Sequence, residues 1–277
     1  HTGEVVNVKL IPSAENTGII FVREDLENAE IPALVKYVNR TDRQTILENG
    51  EASVGTVEHL MASLYALGID NLRIELDGSE VPILDGSAAP LVDLILKAGI
   101  EEQSVEKNFY VLEETFTFKD EDGSEIMALP SEEFEVSALI DYGSSVLGPQ
   151  HAHLDKMVNF RDEIASARTF SFLRELEPLL DAGLIKGGDL NNAIVYVDQD
   201  IAPSTLDKLK TAFGRDDVEV TQRGTLNNIN LRFSNEAARH KLLDVVGDLA
   251  LLGRPLKARI IATKPGHGVN AEFTKAL

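Results

Sequence analysis

Residues Asn235 to Leu252 constrain the fold of this chain more than any other stretch. They read as a helix that is apolar on nearly every side, since Leu242, Leu243, Val245, Val246, Leu249, Leu251 and Leu252 leave no broad polar face. A helix of that kind belongs in an interior. Yet His240, Asp244 and Asp248 recur at intervals of four, which at about 3.6 residues per turn puts them on one stripe. Carboxylates are rarely buried unless paired or bound to a metal, so the stripe needs a partner. An imidazole and a carboxylate one turn apart can reach the same cation, and zinc accepts that set. The alternative is a stripe turned to water with its ions solvated, because short pairs of ligand-type residues arise often by chance.

The other histidines bear on that choice. His59 falls in the first turn of a helix expected over residues 57–67, with Thr56 as its cap and Gly68 at its end. Glu58 precedes it, and adjacent helical residues point about 100° apart. One of the two can therefore bind a metal while the other addresses a water. The metalloprotease pattern needs a second His four residues away, where Ser63 and Gly55 stand. His240 and Asp244 would complete a two-His, one-Asp set with an open position, the catalytic form of a zinc site; the same set serves iron. Alone, His59 reads equally as a capping or core residue. His267 follows Lys264-Pro265-Gly266 and precedes Gly268, a turn in which a surface histidine is the plain alternative. His151 and His153 flank Ala152 in a loop reading and are expected to be solvated.

Composition limits the partners. A formal net charge of -20 argues against nucleic acid and against adhesion to anionic lipid. With no cysteine, any metal must sit on His, Asp or Glu. No apolar run is long enough to span a bilayer and no signal peptide pattern opens the chain, which leads to the expectation of a cytoplasmic protein without stable membrane insertion.

Element order predicts an α+β protein of two topologically similar domains, each with a sheet and two main helices. The first, residues 1–105, opens with a hairpin-like pair of strands (4–11 and 18–23) and carries helices over 57–67 and 90–98. The charged, aperiodic stretch 101–107 marks the boundary. The second, residues 106–277, is expected to hold strands at 108–119, 124–129 and 133–141, a long helix from Arg161 to Ala182, a βαβ-like insert near 193–225, a strand near 226–233, the stripe helix and a strand at 256–263.

Five separated motifs then resemble one family. They are Val57-Glu58-His59-Leu60, the run from Val81 to Ala88, Ser166 to Phe170, Arg239 to Asp244 with Gly247-Asp248-Leu249, and Lys264 to His267 with Asn270. In this order they resemble the UDP-3-O-acyl-N-acetylglucosamine deacetylases, zinc amidases of lipid A biosynthesis, and they run over almost the whole chain. The resemblance implies that the active site lies between the two domains, with one zinc on His59, His240 and Asp244 and Glu58 as general base. It implies His267 as the cationic partner of the developing oxyanion or leaving amine, Asp248 holding its ring, and Thr169 as oxyanion donor. Lys241 would meet the diphosphate and Tyr142 would stack on uracil. Phe170, Phe172, Leu173 and residues 194–197 are candidates for an apolar acyl channel.

The implied reaction takes UDP-3-O-acyl-N-acetylglucosamine and water to the free amine and acetate. Its rivals are a zinc deacetylase of another N-acetyl sugar and a non-catalytic nucleotide-sugar binding protein. Ser171 stands where the family often has Gly, and Pro265 replaces a small residue. His1-Thr2-Gly3 resembles the end of a Gly-Leu-His-Ser/Thr-Gly segment, implying that the family's first strand is absent from the sequence. Some relatives continue into a hydroxyacyl-carrier-protein dehydratase, so a fused dehydratase after residue 277 is a further expectation.

Overall fold

The computed structural model describes residues 1–181, 190–221, 224–226 and 230–277. Its first half contains β1 (Val8–Pro12), β2 (Ile19–Arg23), β3 (Ala29–Pro32), β4 (Val38–Arg40), β5 (Ile46–Asn49), β6 (Ala52–Val54), α1 (Glu58–Ala66), β7 (Leu72–Leu76) and α2 (Ala89–Ala98). The expected hairpin of the first two strands does not form. β7 lies between them, antiparallel to β1 and parallel to β2, so the sheet runs β1-β7-β2-β3. A β-rich pattern specifies a strand and its two faces but not its neighbour. In β7, Leu72, Ile74 and Leu76 point inward while Arg73 and Glu75 are only half-buried, the alternation of a strand with one face on a core. β4, β5 and β6 make a separate small sheet, turned between β5 and β6 by Gly50 at a φ of +63°.

Thr56 does not cap α1. Its own φ is +56°, outside the extended region a capping residue uses, and its hydroxyl lies 2.9 Å from both Gln44 Oε1 and Glu80 Oε1.

The second half contains β8 (Tyr110–Val111), β9 (Phe116–Lys119), β10 (Glu125–Pro130), β11 (Glu135–Ile140), β12 (Gln150–Leu154), α3 (Phe160–Glu163), β13 (Phe170–Phe172), α4 (Leu173–Asp181), β14 (Ile194–Tyr196), α5 (Pro203–Phe213), α6 (Glu236–Ala250), β15 (Leu256–Thr263) and α7 (His267–Ala276). Its main sheet runs β12-β11-β15-β10-β9, with β8 also on β15. β15 is antiparallel to β10 and parallel to β11, and β12 is antiparallel to β11. The order and senses β1-β7-β2-β3 thus recur as β10-β15-β11-β12.

Several expectations are corrected here. The strand at 108–119 is two strands, β8 and β9. The helix expected from Arg161 to Ala182 is α3, a turn, β13 and α4; Ala182 itself lies outside the described residues. Glu236 breaks the run by taking the Arg168 backbone N–H at 3.1 Å and its Nε at 2.8 Å, after which Phe170 and Phe172 pair in parallel with β14. In the insert, the parallel partner of β14 is therefore β13, with α4 in the connection, while Val220 only bridges Leu226. Residues 230–233 form no strand, and 227–229 lie outside the described residues. His151 and His153 sit on edge strand β12 rather than in a loop, exposed on the face opposite buried Ala152 and Leu154.

The apolar core has three parts. One joins the inner face of the β10-β15-β11-β12 sheet to α6. A second lies under the first-half sheet and reaches Ala250 and Leu251 at the end of α6. A small third, around Leu173, Val195, Leu209 and Leu226, belongs to the insert. No helix among the described residues is long and apolar enough to cross a membrane.

α1 and α6 meet closely at Gly247. A Cβ built there would fall 2.0 Å from the carbonyl oxygen of Glu58. Only the missing side chain lets the Glu58-His59 turn come down on the stripe of α6.

Candidate metal centre

The first turn of α1 supplies Glu58 and His59, α6 supplies His240, Asp244 and Asp248, and the first residue of α7 supplies His267. All six are buried. The stripe therefore does not face water. His267, expected in a turn, opens a helix instead; extended Gly266 leads the chain into α7 and brings the ring inside.

One ligand atom each from His59, His240 and Asp244 lies within 4.8 Å of the others, the group of this kind found among the described residues. Asp244 Oδ1 stands 3.8 Å from His59 Nε2 and 3.4 Å from His240 Nε2. This oxygen is buried and has no hydrogen-bond partner. A buried carboxylate oxygen without a donor is costly, and a cation among these three atoms removes the cost. His240 Nδ1 lies 3.1 Å from the Ala167 carbonyl, which fixes the tautomer that turns the Nε2 lone pair inward. Burial, reinforced by the neighbouring His240 ring, pushes His59 down to about 3. Burial also lowers His240, so both rings are neutral and ready to ligate. Burial opposes ionisation of Asp244, but Lys241 and the surrounding rings hold it well below the usual carboxylate range. Lys241 Nζ donates to Asp244 Oδ2 at 2.9 Å, so its present partner is the metal-site carboxylate.

Glu58 and His267 face each other beside this group. His267 Nε2 lies 3.9 Å from Glu58 Oε1 and 4.0 Å from Asp244 Oδ2. Burial raises the Glu58 carboxyl to about 7 against the lowering charge of His267. Burial opposes protonation of His267, yet the Asp248 and Glu58 carboxylates lift it to about 9. His267 Nδ1 lies 3.0 Å from Asp248 Oδ2, which also accepts from Asn270 Nδ2 at 2.8 Å. A base near neutrality and a cationic ring within reach of the same small volume suit proton transfer.

Thr169 is tied by its backbone: its N–H donates to the Gly86 carbonyl at 2.8 Å and its carbonyl accepts from Ile194 at 2.9 Å. Phe170 stands edge-on to the His240 ring at 6.4 Å, and Tyr142 edge-on to Phe170 at 5.6 Å; Tyr142 is partly exposed. Phe172 and Leu173 lie deeper, fully buried in the main core and the insert core respectively. Sequence reasoning missed two participants. The Ala167 carbonyl leaves no trace in a side chain, and Thr45, which contacts both Glu58 and Asp248, is a single residue just before a short strand with no motif around it.

A family profile described as UDP-3-O-acyl N-acetylglycosamine deacetylase matches residues 1–213 and 208–277. The chain is 48% identical to the "Bifunctional enzyme LpxC/FabZ" of Bacteroides thetaiotaomicron, all of the chain aligning with 60% of that protein. It is 44% identical to the "UDP-3-O-acyl-N-acetylglucosamine deacetylase" of Acidithiobacillus ferrooxidans, over all of the chain and 84% of the relative. The protein of the same name in Myxococcus xanthus is 42% identical, over 99% of the chain and 80% of its own length. The chain thus spans about 60% of the length of the bifunctional relatives.

Proposed function

The chain belongs to the UDP-3-O-acyl N-acetylglycosamine deacetylase family, and from that premise we propose that it is a zinc-dependent amidase that releases acetate from UDP-3-O-acyl-N-acetylglucosamine. The observation that carries this reading is the buried, partnerless Asp244 Oδ1 set between two neutral imidazoles, next to a carboxyl at about 7.

Zinc held by His59, His240 and Asp244 would supply Lewis-acid chemistry, lowering the pKa of a water towards about 7 and favouring negative charge on a carbonyl oxygen. Glu58 takes the proton as water adds to the acetamide carbon. The charge that develops on the carbonyl oxygen faces protonated His267 and the Thr169 hydroxyl. The C–N bond then breaks, the amine gains a proton from Glu58 or His267, and acetate leaves. Asp248 keeps the His267 ring oriented and charged. Lys241 serves the diphosphate, Tyr142 stacks on uracil, and Phe170 meets the acyl chain, with Phe172, Leu173 and residues 194–197 packed into the cores behind it. The recurring strand order supports two domains, 1–105 and 106–277, with the reaction between them.

Acetate release tests this directly, with the acylated UDP-sugar compared with UDP-N-acetylglucosamine lacking the 3-O-acyl chain and with the acylated N-acetyl sugar lacking the nucleotide. Turnover that requires both the nucleotide and the chain is expected. Equal turnover without the chain would assign another N-acetyl sugar, and binding without acetate from any would make the protein a nucleotide-sugar binder.

A further inference from the structure

Thr45, Glu58, Asp248 and His267 form a ring of three hydrogen bonds and one open edge. The Thr45 backbone N–H donates to Glu58 Oε2 at 3.1 Å, and its hydroxyl donates to Asp248 Oδ1 at 2.6 Å. His267 Nδ1 meets Asp248 Oδ2 at 3.0 Å. The fourth edge, His267 Nε2 to Glu58 Oε1, is open at 3.9 Å, too long for a direct hydrogen bond.

We propose that Thr45 is a positioning residue: one amide and one hydroxyl of the same residue set the gap between Glu58 and His267 in which the reacting atoms sit. This rests on reading the site as an amide-hydrolysis centre. The geometry gives Thr45 the means. It has no exposure to solvent, and it immediately precedes β5, which is paired on both sides by β4 and β6. The amide direction is thereby set by a sheet, and the hydroxyl direction by a β-branched side chain with few rotamers. Asp248 Oδ2 is held by His267 and Asn270, both of α7, whereas the bond that Oδ1 receives comes from Thr45 in the first half of the chain. Removing that hydroxyl frees the carboxylate to rotate and to carry the His267 ring with it. The touching groups are Glu58 and His267; Thr45 acts through them.

Thr45→Val keeps the shape and the backbone N–H but removes the hydroxyl, and Thr45→Ser restores it. In the zinc-loaded enzyme the valine variant is expected to lose about 10²-fold in kcat, the scale of a 1 Å misplacement, with KM and zinc content unchanged, and serine is expected to recover most of the loss. Crystal structures of the zinc-loaded wild type and of Thr45→Val read the same point without turnover. The wild type should keep the Thr45–Asp248 contact, and the variant should show Asp248 turned and the Glu58–His267 gap altered. Wild-type kcat in the valine variant, a serine variant as slow as valine, or an unaltered gap would overturn the proposal. Should the valine variant not fold, loss of the Thr45–Asp248 contact in the zinc-loaded wild type would overturn it alone. A wild type that binds zinc and releases no acetate would sink the assigned reaction, while the gap in the two crystal structures would still decide the role of Thr45.

Discussion

In the proposed reaction Glu58 and His267 need opposite protonation states, and their surroundings supply them. Glu58 must be ionised to take a proton, and burial sets its carboxyl at about 7, so the rate should fall as pH drops through that value. His267 must be protonated, and its carboxylate neighbours hold it at about 9, so the rate should fall again as pH rises through 9. The two limbs of this bell belong to the interacting pair. Asp248→Asn removes the largest of the charges that lift His267, so the basic limb of kcat/KM should move to lower pH and the bell should narrow; a basic limb left in place would take Asp248 out of this role. Glu58→Gln should keep zinc and lose about 10²–10⁴-fold in kcat, the usual contribution of a general base, checked by acetate release alongside elemental analysis.

At the scale of elements, the approach of α1 to α6 decides whether those residues meet. Gly247→Ala gains up to about 1 kcal/mol of helix propensity. It also drives a methyl into the Glu58 carbonyl, 2.0 Å from where the Cβ would sit, and backbone cannot swing aside as a side chain can. Overpacking of this kind costs about 1–3 kcal/mol, so a net loss in urea denaturation with weaker zinc binding is expected; unchanged stability and affinity would mean that the helices are not held this close. Glu236→Ala should cost more, about 3–5 kcal/mol, because it leaves buried Arg168 without its counter-charge. The stripe helix was legible because four-residue spacing on an apolar helix admits few explanations. The segment 161–182 was misread for a definable reason: its break depends on Glu236, more than fifty residues on, taking the Arg168 amide. β12 and the start of α7 were misread because a His-Ala-His run after Gly-Pro, and a Pro-Gly-His-Gly run, carry the local signals of loops. Thr45 and the Ala167 carbonyl act through single contacts that no spacing announces.

At the scale of the whole molecule, the strand order of the first half recurs in the second, and α1 and α6 occupy corresponding places between the third and fourth strands of each set. The candidate metal centre lies where these two corresponding helices meet, drawing His59 from one and His240 and Asp244 from the other. A ligand that ties both halves together stabilises the folded state by mass action, about 2.7 kcal/mol at a hundredfold excess over Kd. Chelator-stripped protein should therefore gain in Tm on adding zinc, and Asp244→Ala should not. The most direct measurement is metal content by elemental analysis of wild type and Asp244→Ala, with acetate release from the acylated UDP-sugar assayed on the same samples. About one zinc per chain, lost together with activity in the variant, is the expected result. Full occupancy in Asp244→Ala, or an active wild type without metal, would contradict the reading of α6 as half of a catalytic metal centre.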